Sequence, residues 1–427
     1  MQNKPIFIIS VLLFFLAFTV SGQKLVNSPY ARFNLGIMEP AGSFRSLGMG
    51  GLGVALRDNN SIYFLNPSSY SSIDTNSFIF DFGIDYSINI LSDRNSKFTS
   101  DDLNFDHLFI GFPLTKRMGV AAGLVPLSSG YYKISQTVKE GDPEYDPVTG
   151  GYVGYHIGKG SFTNFFFGTG ISLTKNISVG VNMTILFGQL ERTNQYSFDD
   201  YYNAFHTNNI ERLQINGINF DYGLQYTKSF KDDYFLNAGM SITAGKYYKS
   251  DYENLSYLFS AYNTEDTLSY VIDNTTKAFL PGTFRAGFTF GKKNKLVAGV
   301  DYIFTKWSEA KIQGADGYLA DTKSWHFGAE FIPDKYSNVS LLKRFEYRFG
   351  GHLEDNYLII NGEQIKEFGI TAGIGLPMRR SLSKTNFFID YTRKKGSAEK
   401  NLHIENYFTM GVSLNLYDFW FVKRKYD

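Results

Sequence analysis

The side chains that could do chemistry are few in this sequence and lie far apart. The chain has 427 residues, six histidines and no cysteine, so it can form neither a disulfide nor a thiolate metal site. The histidines lack the spacing of metal ligands, and no H-E-x-x-H motif occurs. They are His107, His156, His206, His326, His352 and His403. We therefore expect no enzymatic activity, no metal and no cofactor.

Two of these histidines have charged neighbours on one face of a predicted strand. His326 is followed at alternate positions by Glu330, and His352 follows Glu346 and Arg348. A histidine in such company can act as a general base or a metal ligand. A structural hydrogen bond is the commoner role of a buried histidine, and it is the role that we expect here.

A glycine-rich stretch near the N-terminus suggests a second kind of chemistry. Gly48, Gly50 and Gly51 precede Asp58 and the pair Asn66–Pro67. Glycine-rich turns bind phosphate where they connect a strand to a helix, and a P-loop also needs a lysine. Neither feature is present, so we expect the glycines to permit backbone bends and close approach. Asn66–Pro67 favours a turn.

The elements that must position these residues are β-strands. Residues 78–90 read FIFDFGIDYSINI, in which apolar and polar residues alternate strictly. A period of two is that of a strand with two unlike faces. One face is rich in Phe and Ile, and the other carries Gly, Ser, Asn and the carboxylates Asp81 and Asp85. Aromatic residues outside and small polar residues inside are typical of a transmembrane β-barrel.

The composition agrees with such a barrel. Aromatic residues make up 17% of the chain, with 40 Phe and 30 Tyr, and a lipid-facing wall with aromatic girdles needs this supply. After residue 22 there is no apolar run of about 18 residues, so helical membrane spans are excluded. The formal net charge of +1 gives no reason to expect a nucleic-acid partner.

The alternating segments predict an all-β, antiparallel transmembrane barrel of about 14 strands over residues 76–416. The predicted strands are 76–90, 102–113, 117–135, 160–174, 176–192, 209–229, 233–250, 278–291, 294–308, 320–333, 342–354, 365–377, 384–395 and 403–416. Short connections alternate with longer loops near 91–101, 136–159, 193–208, 251–277, 309–319, 355–364 and 396–402. This is the asymmetry of periplasmic turns and extracellular loops. Residues 417–427 are then a periplasmic tail.

The first 22 residues predict export. Lys4 precedes an apolar run from Ile6 to Val20, and the small residues Val20 and Gly22 favour cleavage before Gln23. An uncleaved N-terminal anchor is the alternative. An exported, cysteine-free chain of amphipathic strands is predicted to lie in the outer membrane of a Gram-negative cell, in contact with its lipid.

The inward faces of the predicted strands carry charges of both signs. These residues are Asp81, Asp85, Arg285, Asp301, Glu330, Arg344, Glu346, Arg348 and Asp390. A selectivity filter usually has one predominant sign, so a filter for a charged solute is the weaker hypothesis. We expect ion pairs that anchor the residues preceding the barrel inside its lumen.

Residues 23–75 are not strand-like, and they resemble the N-terminal hatch of the FadL family. The resemblance rests on Leu47-Gly48-Met49-Gly50-Gly51, Asp58 and Asn66–Pro67, and it extends to residues 280–308 and 368–377. Leu52 and Ser68 stand where the family commonly has alanine. The resemblance implies a fourteen-stranded barrel plugged by its own N-terminal segment. The opening SPYARFNLG and the closing WFVKRKYD resemble a Bacteroidetes branch related to PorV-type barrels.

The resemblance implies two functions. The first, which we favour because the superfamily is defined by it, is passage of hydrophobic small molecules across the outer membrane. The loop at 251–277 then supplies the candidate ligand contacts Tyr252, Leu255, Tyr257, Leu258, Phe259 and Tyr262. The alternative is a non-transporting accessory subunit of a complex for outer-membrane protein assembly or type IX secretion, with other subunits as partners. Analogy of fold does not decide between them.

Overall fold

The structure is a computed structural model, and it describes residues 28–92, 97–199, 205–260, 265–314, 318–378, 381–396 and 402–419. The predicted signal peptide at residues 1–22 lies outside these ranges, as does the predicted tail beyond residue 419. Within them, no helix is both long enough and apolar enough to cross a membrane.

Strands make up most of the described chain. They are β1 Ile37–Met38, β2 Ser77–Ser92, β3 Lys97–Thr115, β4 Met118–Ser129, β5 Tyr132–Val138, β6 Tyr152–Ser172, β7 Ile177–Phe198, β8 His206–Ser229, β9 Tyr234–Thr243, β10 Lys246–Phe259, β11 Glu265–Asp273, β12 Lys277–Leu280, β13 Thr283–Lys292, β14 Leu296–Thr305, β15 Tyr318–Leu319, β16 Thr322–Phe331, β17 Glu346–Ile360, β18 Glu363–Pro377, β19 Lys384–Lys395 and β20 Ile404–Phe419. Helix α1 spans Phe44–Leu47, and 3₁₀ turns span Pro29–Arg32, Pro67–Ser72, Lys231–Asp233, Trp307–Glu309 and Leu342–Arg344.

Fourteen antiparallel wall strands form one closed barrel in the described part of the chain. β4 with β5, β9 with β10, and β12 with β13 each make one interrupted wall strand, whereas β1, β11 and β15 are additional to the wall. β2 pairs with β20, with Ile84 opposite Val412, and this pairing closes the sheet. The prediction of an all-β barrel of about 14 strands is confirmed.

The two faces of the wall strands differ as the alternation predicts. In β2, Phe82 and Ile84 are exposed on the outer face, whereas Asp81 and Gly83 are buried on the inner face. Paired strands satisfy one another's backbone hydrogen bonds, so such a wall can lie in lipid without unpaired polar groups. The apolar outer face therefore matches a membrane environment.

Several strands extend further than predicted on the side of the long loops. β7 has 22 residues and β8 has 24, whereas about 9–11 residues cross a bilayer. The predicted loops 136–159, 193–208 and 251–277 are therefore wrong over much of their length, because they contain strand residues of β5, β6, β7, β8, β10 and β11. Above the bilayer both faces of a strand contact water, so the apolar alternation fades while the backbone pairing continues.

The predicted loop at 355–364 is also wrong. β17 and β18 form a tight hairpin there, joined by Asn361 and Gly362 with φ of 51° and 74°. Two successive residues with positive φ suit a type I′ turn, for which Asn-Gly is a preferred pair.

Residues 28–75, here called the N-terminal segment, contact inward-facing positions on widely separated wall strands. The Ser28 hydroxyl donates to Glu405 of β20 at 2.7 Å. The Gly53 amide donates to Asp301 of β14 at 2.7 Å. The Asn66 side chain donates to a carbonyl oxygen of β8 at 3.2 Å. These contacts hold the N-terminal segment against the inner face of the wall.

Candidate functional site: the barrel interior

A row of inward-facing glycines runs around the wall where the N-terminal segment lies against it. Every wall strand except β19 contributes one glycine whose nearest neighbours include the segment. These residues, here called the glycine belt, are Gly83, Gly111, Gly119, Gly170, Gly180, Gly223, Gly239, Gly287, Gly299, Gly328, Gly350, Gly373 and Gly411. Many are direct cross-strand partners, as in the run Gly119, Gly170, Gly180 and Gly223. The belt therefore lies at one level of the barrel.

The missing side chains let the segment's backbone lie directly on the wall. A β-carbon at Gly119, Gly180, Gly239, Gly328 or Gly350 would lie less than 3.0 Å from backbone atoms of the segment. On β19, the one wall strand without a belt glycine, Phe388 packs on Phe44 of α1 with ring centroids 4.5 Å apart. The segment and the wall are thus complementary in shape around the barrel.

The segment turns sharply against β16, β17 and β18. Gly50 and Gly51 have φ of 71° and 87°, which glycine adopts without the steric penalty of a side chain. The Gly50 amide donates to the Thr371 hydroxyl at 2.9 Å, and a ring nitrogen of His326 lies 2.7 Å from the Gly50 carbonyl oxygen. Thr371 also donates to the carbonyl oxygen of Gly48 at 3.2 Å. The structural hydrogen bond expected for His326 is thus present.

Six charged side chains join the segment to the wall beside this turn. Arg45 of α1 contacts Asp58 within the segment and makes two hydrogen bonds to Glu330 of β16, at 2.7 and 3.0 Å. Glu330 also accepts from Arg348 of β17 at 2.7 Å. The ion cluster, as we call this set, consists of Arg45, Asp58, Glu330, Glu346, Arg348 and Lys384.

The ion cluster is electrically balanced. It has three cations and three carboxylates, and Arg348 and Lys384 both contact Glu346, the lysine at 2.6 Å. All six side chains are buried except the partly exposed Asp58. Burial by itself would raise the pKa of Asp58, but the adjacent Arg45 guanidinium lowers this pKa below its usual range. Removing one member would leave a buried charge without its partner.

Further along the segment, polar side chains of the wall and of the segment itself bind the segment's backbone. The carboxylate of Asp301 accepts from the amides of Gly53 and Val54 at 2.7 and 2.8 Å. The Asn66 amide donates to the Val54 carbonyl oxygen at 2.8 Å, and its oxygen accepts from the Ser68 amide at the start of a 3₁₀ turn. Pro67 takes the first position of that turn, where its missing N–H is not needed.

The predicted hatch residues all contact the wall or its ion cluster, but at separate places. Gly48, Gly50 and Gly51 contact β16 to β18, Asp58 joins the ion cluster, and Asn66–Pro67 contacts β7 to β9. Their placement rests on contacts with residues far away in the sequence.

The predicted inward charges fall into two groups. Glu330, Glu346 and Arg348 meet in the ion cluster. Others have separate partners: Asp81 accepts from Asn415 at 3.2 Å, Arg285 donates to Thr243 at 2.9 Å, and Asp85 accepts from Ser87 at 3.2 Å. Arg344 was placed wrongly, because it lies in the 3₁₀ turn before β17 and not on a wall strand.

Sequence reasoning did not identify Arg45, Lys384 or His107. Arg45 meets Glu330 across 285 positions of the sequence, and no local pattern marks such a pair. His107 lies between Asp81 and Asp106, with its ring against the edge of Phe44. His352 contacts Glu354 at 2.9 Å and Thr392 at 3.1 Å. Among the described residues, no group of three or more histidines and carboxylates is arranged to hold a metal ion.

The predicted ligand-contact loop is a strand. Tyr252, Leu255, Tyr257, Leu258 and Phe259 belong to β10, which pairs with β8 on one side and β11 on the other. Successive strand residues point to opposite faces, so these five side chains do not share one surface. The sixth residue of the set, Tyr262, lies outside the described residues.

A charged cavity of about 220 Å³ lies between the segment and one side of the wall. Its lining includes Lys394, His352 and six carboxylates, which are Glu39, Asp85, Asp106, Glu354, Glu367 and Asp390. Burial raises the pKa of Glu39 in the segment to about 7. Apolar and aromatic side chains such as Leu47 and Phe388 also line the cavity, so charged and apolar surfaces lie side by side in it.

The wall is interrupted beside this cavity. β3 pairs with β4 only between Leu108 and Thr115, although β3 itself begins at Lys97. Beyond that point Ser128 and Ser129 of β4 pair with β1 of the segment. This opening, here called the wall gap, is therefore covered from inside by the N-terminal segment.

Solved structures share this architecture. The chain is 13% identical to the CymD monoaromatic hydrocarbon channel, with a TM-score of 0.58, covering 90% of this chain and 98% of that one. It is 12% identical to the Pseudomonas putida toluene transporter TodX, with a TM-score of 0.59, covering 88% of this chain and 99% of that one. It is 11% identical to a Pseudomonas aeruginosa FadL homologue, with a TM-score of 0.58, covering 89% of this chain and 99% of that one. At such identities the likeness shows the fold, which is that of FadL-type barrels. No curated protein matches the chain.

A family model adds a direct assignment, because the model named BamG matches residues 2–427. The chain belongs to the BamG family. This BamG-family barrel, with its closed wall and apolar outer face, is an outer-membrane protein of the Gram-negative kind.

Replacing a belt glycine should loosen the segment. In Gly328→Val the new β-carbon would clash with backbone atoms of Met49, so we expect a loss of about 1–3 kcal/mol in unfolding free energy. Ala329→Val is the matched control, because Ala329 is the next residue of β16 and its side chain lies on the outer face, away from the segment. Urea unfolding of the barrel in lipid vesicles measures both variants. Equal midpoints would contradict the close contact.

Neutralising Glu330, at the centre of the ion cluster, should lower the unfolding free energy more than replacing a belt glycine does. Glu330→Gln leaves Arg45 and Arg348 buried without their shared carboxylate, and we expect a loss of about 3–5 kcal/mol. Glu309→Gln, which removes one partner of the exposed pair with Lys306, should change the same unfolding midpoint by under about 1 kcal/mol. Similar midpoints for the two variants would argue against a buried cluster.

The pairing of Asp58 with Arg45 predicts a pH dependence. A carboxyl whose pKa is lowered by folding stabilises the protein above its unfolded-state pKa of about 3.9, and the stabilisation is lost as the pH falls further. Wild type should therefore exceed Asp58→Asn in thermal stability at pH 7, and the difference should shrink below about pH 4. A difference that is constant from pH 7 to pH 3 would refute the pairing.

Proposed function

We propose that the chain is a non-transporting accessory barrel of a multiprotein outer-membrane complex that assembles or secretes proteins. The observation that carries this proposal is the attachment of the N-terminal segment around the interior. The glycine belt contacts the segment on thirteen wall strands, and the ion cluster joins it to β16, β17 and β19. In this proposal the N-terminal segment is the permanent plug that the sequence predicts over residues 23–75.

Transport through the centre would require the plug to move. Separating Arg45 from Glu330 exposes two charges that are paired and buried, and breaking one buried pair typically costs about 3–5 kcal/mol. The backbone of the segment would also have to leave the glycine belt. These contacts suit a structural element better than a gate.

The charged cavity supports the same proposal. A site for hydrophobic molecules is usually lined by apolar and aromatic side chains with few polar groups. The lining of the cavity beside the wall gap includes six carboxylates in addition to apolar residues such as Met38 and Phe388, which is more charge than such a site usually has. The sequence resemblance to PorV-type barrels agrees with an accessory role.

A second candidate function is lateral passage of hydrophobic small molecules, and the wall gap favours it. An opening between β3 and β4 would give a lateral route from an interior cavity to the lipid if β1 of the segment separated from β4. Structures with the same fold carry titles that describe them as a toluene transporter and a monoaromatic hydrocarbon channel. Tyr252, Leu255, Tyr257, Leu258, Phe259 and Tyr262 stay candidate ligand contacts under this alternative alone.

Native purification separates the two functions. From native outer membranes in mild detergent, we expect the protein to retain a protein partner in fixed stoichiometry and no defined hydrophobic ligand, as measured by mass spectrometry. A barrel that is free of partners and carries one hydrophobic compound would reverse the assignment.

A cross-link between β1 of the segment and β4, beside the wall gap, distinguishes the two functions further. Met38 and Ser128 are opposite each other in an antiparallel pair, a geometry close to that of a disulfide, and the chain has no other cysteine. The double variant Met38→Cys/Ser128→Cys should keep the same partner when oxidised. Met38→Cys alone is the control. A lateral transporter would lose uptake of its hydrophobic compound in the oxidised double variant only.

A further inference from the structure

On the side of the long loops, three wall strands and β11 form a sheet that extends beyond the membrane-spanning part of the barrel. β7, β8, β10 and β11 lie side by side on the side of the long loops. Polar side chains form a row across their outer face: Arg212 contacts Glu191 at 2.8 Å and Glu253 at 3.2 Å, and the Tyr270 hydroxyl donates to Glu253 at 3.0 Å. Such a row belongs in water, so this part of the sheet stands outside the lipid.

β11 is the edge of that sheet. It pairs with β10 from Asp273 to Glu265, and no residue of the described ranges pairs with its other side. Its side chains are exposed, including the apolar Leu268, Val271 and Ile272 at 59, 49 and 58%. The free edge therefore combines unpaired backbone groups with exposed apolar side chains.

Natural proteins usually protect such an edge. Lysine or proline within the strand discourages pairing with another chain, and β11 reads EDTLSYVID, which contains neither. An edge of this kind is suited to β-augmentation, in which an extended peptide adds one more strand. Backbone hydrogen bonds then give affinity, and alternate side chains give specificity.

The charges on β11 indicate which peptide fits. Glu265 and Asp266 are exposed at the outer end of the strand. At the other end Asp273 is engaged, because it accepts from the Thr275 amide at 2.9 Å and from Gln313 at 2.6 Å. A second copy of β11 in antiparallel pairing would set Glu265 opposite Asp273, and like charges opposite each other are unfavourable. A basic partner is favoured over a second copy.

We propose that β11 is a docking edge for an extended segment of a protein partner, which adds as a strand with alternating apolar residues and places Lys or Arg beside Glu265 and Asp266. This inference rests on the proposed accessory function and specifies the chemistry of the partner. The partner strand would bind outside the membrane, away from the plug.

Two synthetic peptides test the proposal with the purified barrel in detergent. The first alternates valine and threonine and ends in two lysines, and the second has two glutamates at those positions. In fluorescence anisotropy at about 50 mM salt, where screening is weak, the lysine peptide should bind about tenfold more tightly. Equal affinity of the two peptides would overturn the proposal.

Charge reversal provides the matched variants. Glu265→Lys/Asp266→Lys should invert the preference in favour of the glutamate peptide. Glu140→Lys, in a different exposed region, should leave the preference unchanged. A double variant that still prefers the lysine peptide, or a Glu140→Lys variant that loses the preference, would place the binding elsewhere.

Hydrogen exchange locates the added strand. Binding of the lysine peptide should slow amide exchange in residues 265–272 and leave residues 139–150 unchanged, because strand addition protects edge amides. Protection elsewhere would contradict docking at β11. Failure of the peptides, with a stoichiometric partner still present in native purification, would refute the docking edge and leave the accessory function standing. Peptide binding without any native partner would refute the accessory function.

Discussion

The structure depends on close contact between the backbone of the N-terminal segment and the glycine belt. A barrel of fourteen strands encloses more space than its own inward side chains fill, so an inserted segment must meet the wall on all sides. Glycine at one level of thirteen wall strands lets main chain pack against main chain. Turns such as Gly50–Gly51 and the Asn66 cap then direct the segment around the lumen.

Charge neutrality makes this contact specific. The ion cluster matches three cations with three carboxylates, so the cluster itself adds no net charge to the interior. Buried ion pairs are weak evidence for stability, but any displacement of α1 would leave charges unpaired. Asp301 acts in a similar way on the amides of Gly53 and Val54. The polar interior thus selects one position of the segment.

The barrel has three levels with different physical roles. The outer face of the wall is apolar and suits lipid, the belt level holds the segment, and the polar sheet that ends in β11 suits water. The wall gap lies where these roles meet, because β4 exchanges its pairing with β3 for pairing with β1. Under the proposed accessory function, the attached segment and the exposed strand edge would both serve contact with another protein.

The wall strand at FIFDFGIDYSINI and the number of strands could be predicted from the sequence, because alternation is a local pattern that reports the environment of each face. Outside the membrane the apolar alternation weakens, so the sequence predicts loops where β11 and the hairpin at Asn361 lie. Inward ion pairs were expected at Glu330 and Arg348, but the partner on the segment was not, since Arg45 and Glu330 are 285 positions apart. Closure of the barrel decides which inward residues face each other. Alternation thus determined the face on which each side chain lies, while only the tertiary structure decided its partner.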